Sequence, residues 1–436
     1  MAWVLMLFAV NFFLQRLAVP GLSVPIVVPL TLLWLVLALH LRIVSLDDRR
    51  LLLWAVPAAL SALVVIPQLL FVTAPIVSPL SWALWIVLWL PVVVHIRDRS
   101  IEQYQRLLRA IANLGVGISA LSILFIALQF AGIAYRDWLN LLLPTAYLVP
   151  GYVTTYPVVY GSAIYKSNAW LALEPSFLSF TLGTCAVCAI LMRMRPWTVL
   201  LLLLGLFSTA SGSGFAVLAV AVVLMCLTKA RRLLIRYVIP GLVAGAILAV
   251  TPIGADLLGR ITEGRERGSS TSLRAIEPYL NLWPQWIGDP AAMLFGRGAG
   301  SSRRIIEGTG VSGLLVGNVP KVFFDYGLVA GALLMVLMIA IYVNSPEPIL
   351  ALSLGASMLI LQPASPSLVM VSVALLSLWS PTLRNEPLLR PPRNALGQAG
   401  GRLTQVRRLH LASWPTLDSR RATPRRQFDE LRRRQP

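Results

Sequence analysis

The side chains best suited to chemistry lie in a polar segment, residues 255–321, of an otherwise strongly apolar chain. In membrane proteins, basic residues concentrate in short cytoplasmic loops, and long translocated loops escape that rule, so basic residues in a long loop need another explanation. An anionic, lipid-linked substrate is one explanation, and a solvated surface of mixed charge is the alternative. The basic residues of interest in this segment are Arg260, Arg274, Arg297, Arg303, Arg304 and Lys321.

Two features of this segment suit phosphate binding. Arg274 lies at the start of an apolar, aromatic stretch, 273–287, which we expect to form a helix at the membrane surface. Its planar guanidinium suits bidentate phosphate binding, and snorkelling to lipid headgroups is the competing use. Farther on, glycines surround Arg297 in the run FGRGAGSS, residues 295–302. Glycine lets backbone N–H groups approach an anion, so the run indicates an anion-binding turn, with a plain loop as the alternative.

Two carboxylates lie at the ends of apolar stretches. Glu174 is followed at once by Pro175, and an ionisable group within a membrane span is expensive and therefore a candidate functional residue. Withdrawn from water, it would suit a general base; a carboxylate paired at the interface with a lysine such as Lys166 is the alternative. Asp325 begins another apolar stretch, where interaction with the helix dipole explains it without catalysis.

The elements that position these residues are predicted to be membrane-spanning helices. The chain is 57% hydrophobic and only 13% charged, whereas soluble proteins carry charge on about a quarter of their residues. The net charge of +19 resides largely in short turns and in the tail, so we do not expect nucleic-acid binding. We predict an all-α polytopic protein with about twelve spans. These are residues 2–19, 22–41, 51–72, 75–96, 110–134, 169–192, 197–210, 214–228, 236–254, 322–343, 348–362 and 366–381.

Short-loop arginines and lysines predict the orientation of these spans. With alternating crossings, the basic turns and both termini fall on one face, which the positive-inside rule makes cytoplasmic. The outward segments are then 135–168, a re-entrant or interfacial piece, and 255–321, the large loop before the tenth span. Residues 1–381 form the membrane domain. We expect residues 382–436, with thirteen arginines against four acidic residues, to form a basic, disordered tail attracted to anionic membrane lipids.

The order of these pieces resembles the O-antigen ligase and O-antigen polymerase superfamily of bacterial membrane glycosyltransferases. The resemblance covers residues 165–345 and rests on motifs that are individually degenerate. They are Glu174-Pro175, the short paired spans around Ser211–Gly214, Arg274 in the outer loop, Asp289-Pro290, the glycines at 296, 298 and 300, Asn318, and the run Asp325–Leu328.

The resemblance implies a GT-C-like helical fold and periplasmic, metal-independent glycosyl transfer from a polyprenyl-pyrophosphate-linked glycan to a lipid-linked acceptor in the bacterial inner membrane. The resemblance implies no cofactor. It suggests a chain-length regulator as a partner, because similar polymerases work with one. Arg274 becomes the favoured diphosphate ligand, and Glu174 positions or deprotonates the acceptor hydroxyl. The remaining substrate-binding candidates are Arg260, Arg297, Arg303, Arg304, Asn318, Lys321 and Asp325.

Two departures from the superfamily pattern narrow the function. Members often carry Ser-Arg-Gly after the short span, where this chain has Ser213-Gly214, so another basic residue such as Arg260 must serve the phosphate. Ligase-type members often carry His-Asn before the tenth span, where this chain has Gly317-Asn318. The missing histidine favours a polymerase of exopolysaccharide, capsule or O-antigen repeats. Ligase-type transfer and a lipid-linked-oligosaccharide flippase or transporter remain the alternatives.

Overall fold

The computed structural model describes residues 1–379 except 23, 98–99, 159–161, 229, 251–271, 312 and 344. Arg260 and the predicted tail at 382–436 lie outside the described residues. The first helices are α1 Ala2–Phe13, α2 Val27–His40, α3 Asp48–Leu63, α4 Val65–Phe71, α5 Pro79–Trp89, α6 Ile101–Phe130 and α7 Trp138–Leu142. The next are α8 Pro175–Leu191, α9 Pro196–Ser208, α10 Gly212–Leu227, α11 Arg231–Ile235 and α12 Val238–Ala249. The last are α13 Ser272–Ala275, α14 Glu277–Ile287, α15 Pro290–Phe295, α16 Ser301–Gly308, α17 Asn318–Val343, α18 Pro348–Ile360 and α19 Pro366–Ser372.

Each predicted apolar stretch contains an apolar helix, and the chain is a helical membrane protein. By length and composition, three helical stretches within the described residues are able to cross a membrane, namely Asp48–Phe71, Ile101–Phe130 and Asn318–Val343. The other apolar helices there are 10–17 residues long. The number of crossings and the GT-C-like arrangement therefore stay predictions.

Short strands depart from the all-α prediction. Ala18–Val19 pairs antiparallel with Val24–Pro25, and Val44–Leu46 pairs antiparallel with Val94–Ile96. These pairings satisfy backbone groups where the chain leaves one apolar helix and turns toward another, a need that hydrophobic periodicity does not reveal.

The centre of the molecule is α8, every residue of which is buried. Small residues allow its neighbours to approach closely. A side chain at Gly214 of α10 would collide with the backbone carbonyl of Ser179 in α8. The Ser179 hydroxyl instead donates to Ser211 O at 2.7 Å and accepts from Gly214 N at 2.9 Å. α9 ends at Ser208 and α10 begins at Gly212, so residues 209–211 form the turn between the two short helices, and Ala210 in this turn is fully buried.

Helices at the periphery expose apolar side chains, which suits contact with lipid rather than water. Leu52 of α3, Phe71 of α4 and Leu227 of α10 are all exposed. By contrast, Cys185 and Cys188 of α8 are buried, as expected for small apolar residues, and Cys226 of α10 is exposed.

Candidate functional site

Glu174 stands at the start of the buried central helix. Proline at the first position of α8 disfavours helical backbone in the preceding residue, and Glu174 accordingly adopts φ −145° and ψ 160°. The side chain is 2% exposed. Its Oε2 accepts a hydrogen bond of 3.2 Å from the Ser176 hydroxyl. The local sequence therefore holds a carboxylate at the end of α8 and shields it from water.

Arg274 supplies the cation that this carboxylate requires. Its Nη2 donates to Glu174 Oε2 at 2.7 Å, and the arginine side chain is 12% exposed. Arg274 belongs to α13, whose first residue, Ser272, donates from its hydroxyl to Glu277 Oε1 at 3.0 Å. Because a guanidinium has five N–H donors, one ion pair leaves it able to bind a second anion.

A cavity of about 400 Å³ is lined by residues adjacent to this pair, whereas Glu174 and Arg274 themselves are not among the lining residues. Volumes of roughly 300–1,000 Å³ are typical of sites that bind small molecules. Tyr152 and Leu173 line the cavity, and Leu173 immediately precedes Glu174. Burial raises the pKa of Tyr152 to about 12, and the negative charge of Glu174 adds to this effect. Tyr152 is therefore a phenol at neutral pH and an available hydrogen-bond donor beside the ion pair.

Lys321 is a cation on the cavity wall. Its Nζ lies 2.7 Å from Asp325 Oδ2 and 5.7 Å from the ring centroid of Trp85, which also lines the cavity. Asp325 is completely buried. The aspartate fixes the position of Lys321, and its carboxylate is enclosed by Lys321 and by the start of α16.

The glycine run binds an anion, but the anion is Asp325. Gly300 N and Ser302 N donate to its carboxylate at 3.1 and 2.8 Å, and the Ser301 hydroxyl donates at 3.0 Å. These groups form the N-terminus of α16. Asp325 was expected at the start of its own helix; it lies two residues before a break in α17 at Gly327, where φ is +66°. Its carboxylate satisfies the N-terminus of a different helix, α16.

The glycine at 296 also serves packing. Gly296 has φ +80°, and a side chain there would collide with the backbone of Asp325 and Tyr326. Gly298 N donates to the Asp325 carbonyl at 3.0 Å, and Arg297 N donates to the Phe324 carbonyl at 2.9 Å. The run thus lies against the backbone of α17, which is why a free phosphate-binding turn does not form here.

The other predicted site residues separate into two groups. Arg303 lines the cavity, where it forms an exposed pair of 2.7 Å with Glu307. Arg304, Arg297 and Asn318 do not line it. Arg304 is exposed on α16.

Arg297 and Asn318 make structural contacts instead. Arg297 donates to the backbone carbonyls of Thr73 and Gln285, each at 2.8 Å, and Asp289 lies 3.7 Å from its guanidinium. Asn318 is fully buried and donates to the backbone carbonyls at the end of α18. Both side chains donate to backbone carbonyls of segments that are distant in the sequence. Residue type alone does not reveal such partners.

Most residues that line the cavity were not among the predicted site residues. Gln15, Trp85 and Ser302 line the cavity and are buried. A polar residue ending the first apolar stretch was a signal for Gln15, whereas Trp85 is one of several tryptophans in its helix. Within the described ranges, no group of three or more His, Cys, Asp or Glu side chains is arranged to hold a metal ion.

Comparison with curated proteins and with solved structures finds no match. A family model described as WcaD colanic acid polymerase matches residues 2–345, which is most of the chain. This match confirms the resemblance to the O-antigen polymerase-like superfamily. The chain therefore belongs to the WcaD colanic acid polymerase family.

Proposed function

We propose that this protein polymerises polyprenyl-pyrophosphate-linked oligosaccharide repeat units at the periplasmic face of the inner membrane. The observation that carries the proposal is the buried ion pair between Glu174 and Arg274, which adjoins Leu173 of the cavity wall. A paired base and phosphate ligand beside a cavity of this size are what glycosyl transfer from a diphosphate requires.

In the proposed reaction, an acceptor hydroxyl attacks the anomeric carbon of the donor sugar. The bond from that carbon to the diphosphate oxygen breaks, and the polyprenyl diphosphate leaves with the electron pair. Glu174 takes the proton of the hydroxyl, and Arg274 stabilises the negative charge that develops on the leaving group. Tyr152, on the cavity wall nearby, donates a hydrogen bond to a substrate oxygen.

The ion pair also gives the reaction an order. Arg274 and Glu174 neutralise each other at 2.7 Å before substrate binds. A diphosphate carries more negative charge than one carboxylate and attracts the guanidinium more strongly. We infer that donor binding draws Arg274 from Glu174 and leaves the carboxylate ready to accept a proton. Glu174 then acts as a base only when the donor is bound.

Pairing of this kind extends to the other cations proposed for the substrate. Arg303 pairs with Glu307, and Lys321 pairs with Asp325, both at 2.7 Å. The exposed Arg303 pair exchanges partners easily because water screens it, so Arg303 is the second diphosphate ligand in this proposal. Arg260 remains a third candidate on its sequence position alone.

The proposed orientation places both termini in the cytoplasm. It is supported by the arginines and lysines of the short loops, which share one face when crossings alternate. A reporter that is active only in the cytoplasm, fused after Arg434, is expected to be active. Silence of that fusion, with activity of a periplasm-only reporter at the same position, contradicts the orientation.

A deletion strain tests the polymerase function against the alternatives. We expect the strain to lose long surface polysaccharide and to retain single repeat units on the carrier lipid at the outer leaflet. Retained long polymer that fails to reach its final acceptor indicates ligase-type transfer. Precursors held at the inner leaflet indicate a flippase.

A further inference from the structure

Two basic turns that are distant in the sequence lie against each other. The first, residues 192–195, joins α8 to α9, and the second is formed by α11 and the two residues that lead into α12. Arg236 Nη1 donates to the Arg193 carbonyl at 3.2 Å, and the Tyr237 hydroxyl donates to the Met194 carbonyl at 2.9 Å. These hydrogen bonds join the two turns into one surface.

The joined turns carry positive charge without a balancing negative charge. Their exposed basic residues are Arg193, Arg195, Arg231, Arg232 and Arg236. The sequence contains no acidic residue between Glu174 and Asp256. All five arginines therefore lie in a part of the chain that offers them no carboxylate.

The other basic turns predicted on the same face do contain acidic residues. Asp47 and Asp48 precede Arg49, and Glu102 precedes Arg106 on α6. The positive-inside rule depends on lysine and arginine, and aspartate and glutamate contribute little to it. The rule thus accounts for the arginines of all these turns but not for the lack of acidic residues at the joined turns. A bound anion accounts for that lack, because neighbouring carboxylates would repel it.

The surroundings of the joined turns indicate an anion at a membrane surface. Trp197, near the start of α9, is exposed, and tryptophan is enriched at the headgroup level of bilayers. Ile239 and Leu242 are exposed on α12, which packs against α9. Exposed apolar side chains next to the arginines suit contact with acyl chains rather than with water.

We propose that the joined turns bind the phosphate headgroup of an anionic phospholipid, whose acyl chains lie along the exposed residues of α12. Arginine suits this partner because its planar guanidinium forms paired hydrogen bonds with phosphate oxygens. The inference goes beyond the proposed polymerase function and does not depend on it, since none of the five arginines is assigned to glycosyl transfer.

Photo-crosslinking of the purified full chain in nanodiscs tests this proposal. The probes are anionic phosphatidylglycerol and zwitterionic phosphatidylcholine, each with a diazirine on the same acyl carbon and at the same fraction of the bilayer. Peptide mass spectrometry locates the cross-links, which separates lipid at α9, α11 and α12 from lipid attracted by residues 382–436. We expect phosphatidylglycerol to label these helices at least about tenfold more than phosphatidylcholine, because each basic residue near a membrane surface contributes about fivefold in affinity.

Two double variants test whether both turns contribute to one site. Arg231→Gln with Arg232→Gln changes the second turn, and Arg193→Gln with Arg195→Gln changes the first. Each is expected to lower the preference for phosphatidylglycerol at these helices by at least about fivefold. Neither removes the hydrogen bonds that join the turns, because the Arg193 carbonyl accepts through the backbone and Arg236 is unchanged.

The chain offers a control with the same change in net charge. Arg106→Gln with Arg109→Gln removes two exposed arginines of α6, where Glu102 is also exposed. This variant is expected to keep the preference of the parent. Excess inorganic phosphate, compared with sodium chloride at equal ionic strength, is expected to leave the labelling unchanged.

Four results overturn the inference. They are equal labelling of these helices by the two lipids in the parent, an effect confined to one of the two turns, an equal effect in the α6 control, and displacement of the lipid by inorganic phosphate. The last result would indicate a soluble phosphate ligand in place of a lipid.

Discussion

Glu174 and Arg274, separated by 100 residues in the chain, meet in an ion pair of 2.7 Å with both side chains largely buried. Two buried charges lose their hydration, and an ion pair recovers that cost only with good geometry. A pair of this kind is weak evidence for stability alone. The pair adjoins Leu173 of the cavity wall, and we propose that it binds substrate charge.

Arg274→Ala tests the diphosphate ligand. We expect the amount of long polymer to fall by about 100-fold or more. A hydrogen-bond donor directed at the negative charge that develops in the transition state contributes to the rate on that scale. Single lipid-linked repeats should accumulate, as seen by gel electrophoresis of extracted precursors. Arg136→Ala, at an exposed arginine in the other predicted outward segment, is the control and should retain normal polymer. Normal polymer in Arg274→Ala at normal protein level excludes the assigned role.

Glu174→Gln tests the proposed order of events, because binding and turnover should change in opposite directions. Turnover is expected to fall about 100-fold or more through loss of the base. Affinity for farnesyl diphosphate should rise about five- to tenfold, equivalent to about 1–1.4 kcal/mol, since a carboxylate no longer competes for Arg274.

Isothermal titration of the purified protein with farnesyl diphosphate measures this affinity. Glu102→Gln, at an exposed glutamate near the start of α6, should match the parent in both measurements. Weaker diphosphate binding by Glu174→Gln contradicts the exchange of partners and leaves Glu174 as a simple support for Arg274.

Asp325→Asn tests the structural role of the buried carboxylate. The asparagine amide has only one oxygen to accept the hydrogen bonds from α16, and it leaves Lys321 without its counter-charge. We therefore expect the free energy of unfolding to fall by about 3–5 kcal/mol. Glu307→Gln breaks the exposed pair with Arg303 and should cost less than about 1 kcal/mol. Thermal unfolding in detergent measures both variants, and equal midpoints for the two contradict the assignment.

Glu347→Gln tests a pH dependence at the turn between α17 and α18. Burial raises the pKa of Glu347 from 4.5 to about 7, against a lowering by the hydrogen bond from Ile349 N. The folded protein holds this proton more tightly than the unfolded chain, so stability falls as pH rises from about 4.5 to about 7.

The glutamine variant carries no such proton. It should equal the parent near pH 4 and exceed it at pH 8 by up to about 3 kcal/mol, measured as the free energy of unfolding. Glu102→Gln, at an exposed site, is the control and should follow the parent at both pH values. A constant difference between Glu347→Gln and the parent across this range contradicts the raised pKa.

The apolar helices and the family were predictable from the sequence. A helix in a lipid environment needs a continuous apolar stretch, so composition along the chain marks the element directly. Glu174 was also predictable as a candidate functional residue, because a carboxylate at the edge of an apolar span costs free energy in any orientation. The glycine run was recognised as an anion-binding feature on the same local grounds.

The partner of each charged group was decided only by the tertiary structure. The sequence offered a lysine such as Lys166 for Glu174 and a phosphate for the glycine run, whereas the fold brings Arg274 to Glu174 and Asp325 to the glycine run. Charge attraction is not specific for position in the chain, and residues 25 or 100 apart meet only after the helices pack. Packing of α8, α13, α16 and α17 therefore pairs Arg274 with Glu174 and leaves Arg297 to support loops.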